Sequence, residues 1–143
     1  MLPRLKRRGE FVRAAKSGLH ASAPGMAVQA YLRRDGEGPT DGIRVGFTTS
    51  KKVGNAVIRN RVRRRLRVVA DALLAESGKP RHDYVLVGRT AAKDRDFQDL
   101  LADLQNALKQ IERRAAAREA RKRQQPAREQ QSASEQQAKG RPA

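Results

Sequence analysis

The chain has 143 residues, 32 of them Lys or Arg against 15 Asp or Glu, for a formal net charge of +17. That length fits one small domain with a tail, and such self-repulsion is tolerated most readily beside a polyanion, with nucleic acid first and anionic membrane second. No cysteine is present, which excludes a disulfide framework, a thiolate metal site and a Cys nucleophile, and no apolar run approaches the ~18 residues of a transmembrane helix.

The start, Met1 to Lys6, is basic, but no apolar signal core follows it, so a cytoplasmic, reducing setting is expected. Gly9 to Lys16 reads as a short helix, with Phe11, Ala14 and Ala15 on one side and Gly18 as a stop. Met26 to Arg33 alternates: Met26, Val28, Ala30 and Leu32 point one way, and Ala27, Gln29, Tyr31 and Arg33 the other, as in a half-buried strand. A Gly-rich loop over 35–42 leads to a second strand with Ile43, Val45 and Phe47 on one face. Gly54 suits a positive-φ turn and Asn55 an N-cap, opening a helix that runs to about Glu76. Tyr84 to Val87 is a continuous apolar run, fitting a strand covered on both faces. Asp96 can cap a last helix whose stripe is Phe97, Leu100, Leu101, Leu104, Ala107, Leu108 and Ile111.

From Arg113 to Ala143 there is no Val, Ile, Leu, Met or aromatic residue. Such a segment cannot bury enough apolar area to offset its ordering entropy. It is expected to be a disordered basic tail, with a first part whose Ala and Arg suit an extension of the preceding helix. Residues 1–112 then form the folded domain. The order of elements describes an α/β (α+β) two-layer sandwich, helices over a mixed sheet.

Between Arg44 and Arg67 there are nine Lys or Arg and no Asp or Glu. At ~100° per residue, Ile58, Val62, Leu66, Val69 and Leu73 share one sector of the helix, and Asn60, Arg63, Arg64 and Arg67 lie opposite. Arg59 and Arg61 fall at the flanks and Arg65 beside the apolar edge. Six arginines on three turns repel one another unless something anionic lies among them. Arg favours bidentate phosphate contacts and stacking on bases. A solvated basic face and a membrane-surface helix are the competing readings; the stripe lacks the Trp and Phe of the latter and is needed to cover the sheet. Lys51, Lys52, Gly54 and the Asn55 cap add a basic helix N-terminus, a plausible phosphate seat.

The string Ser50-Lys51-Lys52-Val53-Gly54-Asn55-Ala56-Val57-Ile58-Arg59-Asn60-Arg61-Val62-Arg63-Arg64-Arg65-Leu66-Arg67 resembles the signature of the bacterial ribonuclease P protein component, with Arg59-Asn60-Arg61 as its core. Leu5-Lys6, Phe11 and Gly18, the strand entry Arg44-Val45-Gly46, and Asp83 to Val87 followed by Arg89 match in order and spacing, so the likeness spans roughly residues 4 to 112. The resemblance implies a central sheet of about four strands covered by three helices, with a left-handed crossover carried by the basic helix. It implies an accessory subunit of a ribonucleoprotein that removes the 5′ leader from precursor tRNA, with hydrolysis performed by the RNA subunit using bound Mg²⁺. The implied partners are that catalytic RNA and the precursor tRNA, without a membrane or an obligate protein partner.

Carried over by position, the RNA-facing set is Lys51, Lys52, Asn55, Arg59, Asn60, Arg61, Arg63, Arg64 and Arg67. The leader cleft includes Phe11, whose ring can stack on an unpaired base; the alternative for Phe11 is a plain core residue. A second family aromatic is replaced by Ala15, and another falls on Gln29, where Tyr31, two residues on and on the same strand face, is the candidate substitute. His20 and His82 are far apart and in no metal-ligand spacing, and Asp94, Asp96 and Asp99 suit helix capping, so neither catalytic residues nor a metal site are expected in the protein. A ribosomal or other structured-RNA binder shares the composition but not the long signature, and a protein-only nuclease would need clustered carboxylates or a His/carboxylate pair.

Overall fold

The computed structural model describes residues 2–124. Its sheet has four strands, β1 (Leu19–Ser22), β2 (Met26–Leu32), β3 (Ile43–Thr49) and β4 (His82–Gly88), in the order β1-β2-β4-β3. β4 is central, antiparallel to β2 (Gln29 opposite Val85) and parallel to β3 (Gly46 opposite Val85). The helices are α1 (Arg8–Ser17), α2 (Ala56–Ser77) and α3 (Phe97–Gln124), with 3₁₀ turns at Lys51–Val53 and Thr90–Lys93. The mixed sheet with three helices is the expected architecture. β1 is an addition: with only Ala21 buried, its four residues are too short to display a period.

The apolar run of β4 is continuous because the sheet is covered on both faces. Tyr84 and Leu86 join Met26, Val28, Ala30 and Val45 in the main core, against Val62, Leu66, Val69, Ala70 and Leu74 of α2 and Leu100, Leu104, Ala107, Leu108 and Ile111 of α3. Each large aliphatic side chain taken fully out of water there contributes about 1.5–3 kcal/mol. On the other face Val85 and Tyr31 pack with Leu5 and Ala14, and with the partly buried Phe11 and Val87, beneath α1. The edge of β3 is covered too: Leu5 N donates to Val45 O (3.1 Å) and Val45 N to Pro3 O (2.9 Å), which blunts a row of otherwise free backbone groups.

One feature here departs from the sequence expectation. Arg33, placed on the strand face opposite Met26, Val28, Ala30 and Leu32, is 1% exposed. It donates to Asp83 Oδ1 (2.8 Å) and to the carbonyls of Pro39, Asp41, Gly42 and His82, pinning the loop between β2 and β3. The segment 113–124 continues α3 as helix, the extension that its Ala and Arg content suits; the rest of the tail lies outside the described residues. The compact unit is Met1–Ile111; a second unit begins at Glu112, and none of its described residues is buried.

Candidate nucleic-acid interface

α2 begins where its sequence signals lie. Gly54 has φ 152°, and a Cβ on it would stand 2.9 Å from Ile58 Cγ2, so glycine is required by backbone and by packing. Asn55 Oδ1 accepts from Ile58 N at 3.0 Å, the expected N-cap, which engages one end of a residue also assigned to RNA. Lys51 and Lys52 are exposed on the 3₁₀ turn just before it.

Along α2 the basic residues divide into three groups. Asn60, Arg61 and Arg64 are exposed. Arg59, Arg63 and Arg67, four residues apart, form a half-buried row along one side; Arg63 donates to Asn60 Oδ1, and the Arg67 guanidinium lies 6.0 Å from the centre of the Phe47 ring. Arg65 differs. Its guanidinium donates to the carbonyls of Ala92 (2.7 Å), Lys93 (3.1 Å) and Arg95, clamping the turn at Thr90–Lys93 against α2. Among the described residues, Arg59, Arg61, Arg63, Arg64 and Arg67 form no ion pair. Five guanidinium groups with no internal counter-charge are a surface suited to phosphate.

Across the sheet from α2, a groove of about 500 Å³ runs beside α1, lined by Arg8, Phe11, Gln29, Phe47, Thr48 and Val85 among others. Phe11 lies directly on the sheet: a Cβ at Gly46 would be 2.5 Å from its ring. Ala15, the position of the missing aromatic, also lines the groove and leaves it open. The structure brings Phe11 and Gln29 together there but not Tyr31. One row further under α1, Tyr31 is buried; its hydroxyl donates to Glu37 Oε1 (2.7 Å), and the Arg13 guanidinium stands 5.9 Å from its ring. That hydrogen bond, with burial, raises the Tyr31 pKa. Tyr31 therefore acts as a packing anchor; Phe47 borders the groove from edge strand β3, but its ring lies on the α2 side, beside Arg67. As its alternation with Ile43 and Val45 predicts, Phe47 packs against the main core, partly open on edge strand β3.

α1 is held over the sheet by a chain of charges. Glu10 Oε1 accepts from the backbone N–H groups of Arg7 (2.8 Å) and Lys6 (3.0 Å), and its other oxygen pairs with Arg44 (2.5 Å). Arg44 also pairs with Asp83 (2.9 Å), which is fully buried and shared with Arg33. Burial raises the Glu10 pKa, but the two N–H donors and the Arg44 and Arg13 charges outweigh it and hold the carboxyl below its ordinary range. Arg44, counted in sequence with the basic stretch, is therefore a structural cation. Among the described residues, no group of three or more His, Cys, Asp or Glu could hold a metal ion, and no helix is long and apolar enough to cross a membrane.

Comparison with known proteins places this architecture. The sequence model of the Ribonuclease P family matches residues 2–112. The ribonuclease P protein component of Ruegeria pomeroyi is 49% identical over 108 residues, covering 75% of this chain and 84% of that protein. That of Gluconacetobacter diazotrophicus is 42% identical over 113 residues, covering 79% and 94%. Among solved structures, the RNase P protein of Staphylococcus aureus is 28% identical with a TM-score of 0.62, covering 76% of this chain and 94% of that one. The RNase P protein of Thermotoga maritima is 26% identical with a TM-score of 0.61, covering 76% and 96%.

Proposed function

The chain belongs to the Ribonuclease P protein family, and from that membership we propose how it serves the holoenzyme as accessory subunit. It binds the catalytic RNA through Lys51, Lys52 and the free face of α2, and it receives the 5′ leader of precursor tRNA in the groove between α1 and the sheet. The observation that carries this reading is the row of α2 arginines without acid partners among the described residues, together with a groove on the other face of the sheet that presents the Phe11 ring. Phosphates satisfy the first surface, and unpaired bases stack in the second.

The division of labour follows from the side chains. The protein supplies positive charge at fixed positions, which reduces the repulsion between two polyanions as catalytic RNA and substrate come together. We place the Mg²⁺ and the hydrolytic step on the RNA, as membership of the Ribonuclease P family implies. Residues 1–112 act as the RNA-binding domain and 113–143 as a basic tail, in the cytoplasm, where precursor tRNA is processed.

Reconstitution with a bacterial catalytic RNA tests this reading. Precursor cleavage at low Mg²⁺ should depend on the protein, and the dependence should fade as Mg²⁺ is raised. Cleavage by the protein free of RNA, or a Mg²⁺ requirement unchanged by the protein, would refute it.

A further inference from the structure

On the other flank of α1, away from Phe11, a second and larger concavity of about 1220 Å³ opens between the N-terminal segment, α1 and the loop around Gly36. Its walls carry Arg4, Lys6, Arg7 and Arg13. Both acids in it are already engaged. Glu10 holds the N–H groups of Lys6 and Arg7 and the Arg44 guanidinium. Glu37 accepts from the Tyr31 hydroxyl and Arg34 N, and pairs with Arg13. The exposed side chains of Lys6 and Arg7 have no acid partner among the described residues. The walls are open where glycine stands, since a Cβ at Gly9 or Gly36 would meet nothing within 4 Å.

This concavity is joined to α2. The Arg4 guanidinium lies 5.9 Å from the Phe47 ring centre and that of Arg67 6.0 Å from the same ring. Two like charges gathered at one aromatic are stabilised when an anion is shared between them. The row Arg59–Arg63–Arg67 thus continues past Phe47 to Arg4 and on to Lys6 and Arg7. No aromatic side chain lines the concavity, so it suits sugar–phosphate backbone and not splayed bases.

Accepting α2 as the seat of the catalytic RNA, we infer that this RNA does not end its contact there: its backbone turns around the β3 edge at Phe47 and runs into the concavity, with phosphates on Arg4, Lys6 and Arg7. α1 then lies between two RNAs, leader on one flank and catalytic RNA on the other.

The test uses the full chain with Lys6→Gln and Arg7→Gln together; the bonds to Glu10 come from backbone N–H groups and survive the change. Assembly with the catalytic RNA, without substrate, should weaken several-fold, and its salt dependence should become shallower by about 0.7–0.9 per residue. The preference of the holoenzyme for leader-bearing over leaderless substrate should not change. As a measurement on the native chain, acetylation of Lys6 should be suppressed by catalytic RNA alone, whereas Lys16 at the other end of α1 stays reactive. Suppression at Lys6 only on adding precursor would assign the concavity to the leader and overturn the inference, as would native assembly by the double variant. Arg61→Gln with Arg64→Gln is the reference. If that pair weakens assembly and the Lys6/Arg7 pair does not, only the inference falls; if neither does, the assignment of α2 falls as well.

Discussion

Arg33 and Arg44 lie beneath α1 against a carboxylate with no exposure, while Arg59, Arg61, Arg63, Arg64 and Arg67 lie along α2 without an ion pair among the described residues. Residue type does not separate the two sets; what surrounds the guanidinium does. Under α1 the charge is neutralised internally, and each donor is directed at a carboxylate or a loop carbonyl, so the arginine is part of the fold. On α2 the charge is left over, and the helix holds it at fixed spacing. A chain of net charge +17 thus sets Asp83 and Glu10 against the arginines beneath α1 and leaves the basic helix to be neutralised by a partner.

If the comparison holds, the two sets respond oppositely to substitution. The largest effect should come from Asp83→Ala. It leaves Arg33 with an unpaired charge in a buried site and Arg44 with Glu10 alone, a loss of roughly 3–5 kcal/mol, visible as a lower urea midpoint. An unchanged midpoint would mean that water reaches the cluster and that the contrast is false.

Next is Arg59→Ala with Arg63→Ala and Arg67→Ala. No ion pair is deleted, and helix propensity is retained, so thermal unfolding should change little while affinity for the catalytic RNA falls. The salt slope should drop by about 0.7–0.9 per residue that contacts a phosphate. Arg113, Arg114 and Arg118 changed to Ala remove the same charge from the far part of α3 and should cost less affinity. Equal losses would reduce the role of α2 to bulk electrostatics.

Phe11→Ala should weaken binding of leader-bearing precursor by about 1–3 kcal/mol and leave assembly with the catalytic RNA nearly intact. Equal losses for leaderless and leader-bearing substrates would make Phe11 a packing residue only.

The smallest effect concerns pH. The Glu10 pKa in the folded chain is lowered from 4.5, so its contribution is present above that value and is lost as pH falls through the folded pKa. Stability profiles of the native chain and of Glu10→Gln should therefore differ at neutral pH and converge in acid. A difference that persists at the lowest pH would show that the carboxylate charge is not what seats α1.

Most of the fold was legible because its signals are local. The stripe of α2, the Gly54 turn, the Asn55 cap and the two-faced run of β4 each follow from residues within a few positions of one another. What escaped depends on distance along the chain. Arg44 looked like part of the basic surface because its buried partner, Asp83, is 39 residues away. Arg33 obeyed strand alternation, yet the loop whose carbonyls it binds folds back over it. Tyr31 was placed on the correct face beside Gln29, but α1 covers its row and leaves that of Gln29 open. Phe47 followed its alternation and packs against the main core with Ile43 and Val45, and only its position on an edge strand leaves it partly open.

The central position of β4 has a consequence for how the protein is made. β2 and β3 are neighbours in sequence but not in the sheet; each pairs with β4, the last strand to be synthesised. Until residues 82–88 leave the ribosome, the nascent chain can form the β1–β2 hairpin but no wider sheet. α2, by then fully translated, has no completed surface on which to bury Val62, Leu66 and Leu74. For that interval the cell holds a strongly cationic segment without its scaffold, beside the densest concentration of RNA it contains. A ribosome stalled just before His82 would therefore display a chain that binds RNA by charge alone, and the geometric selectivity of the finished protein begins only with the seven residues of that strand.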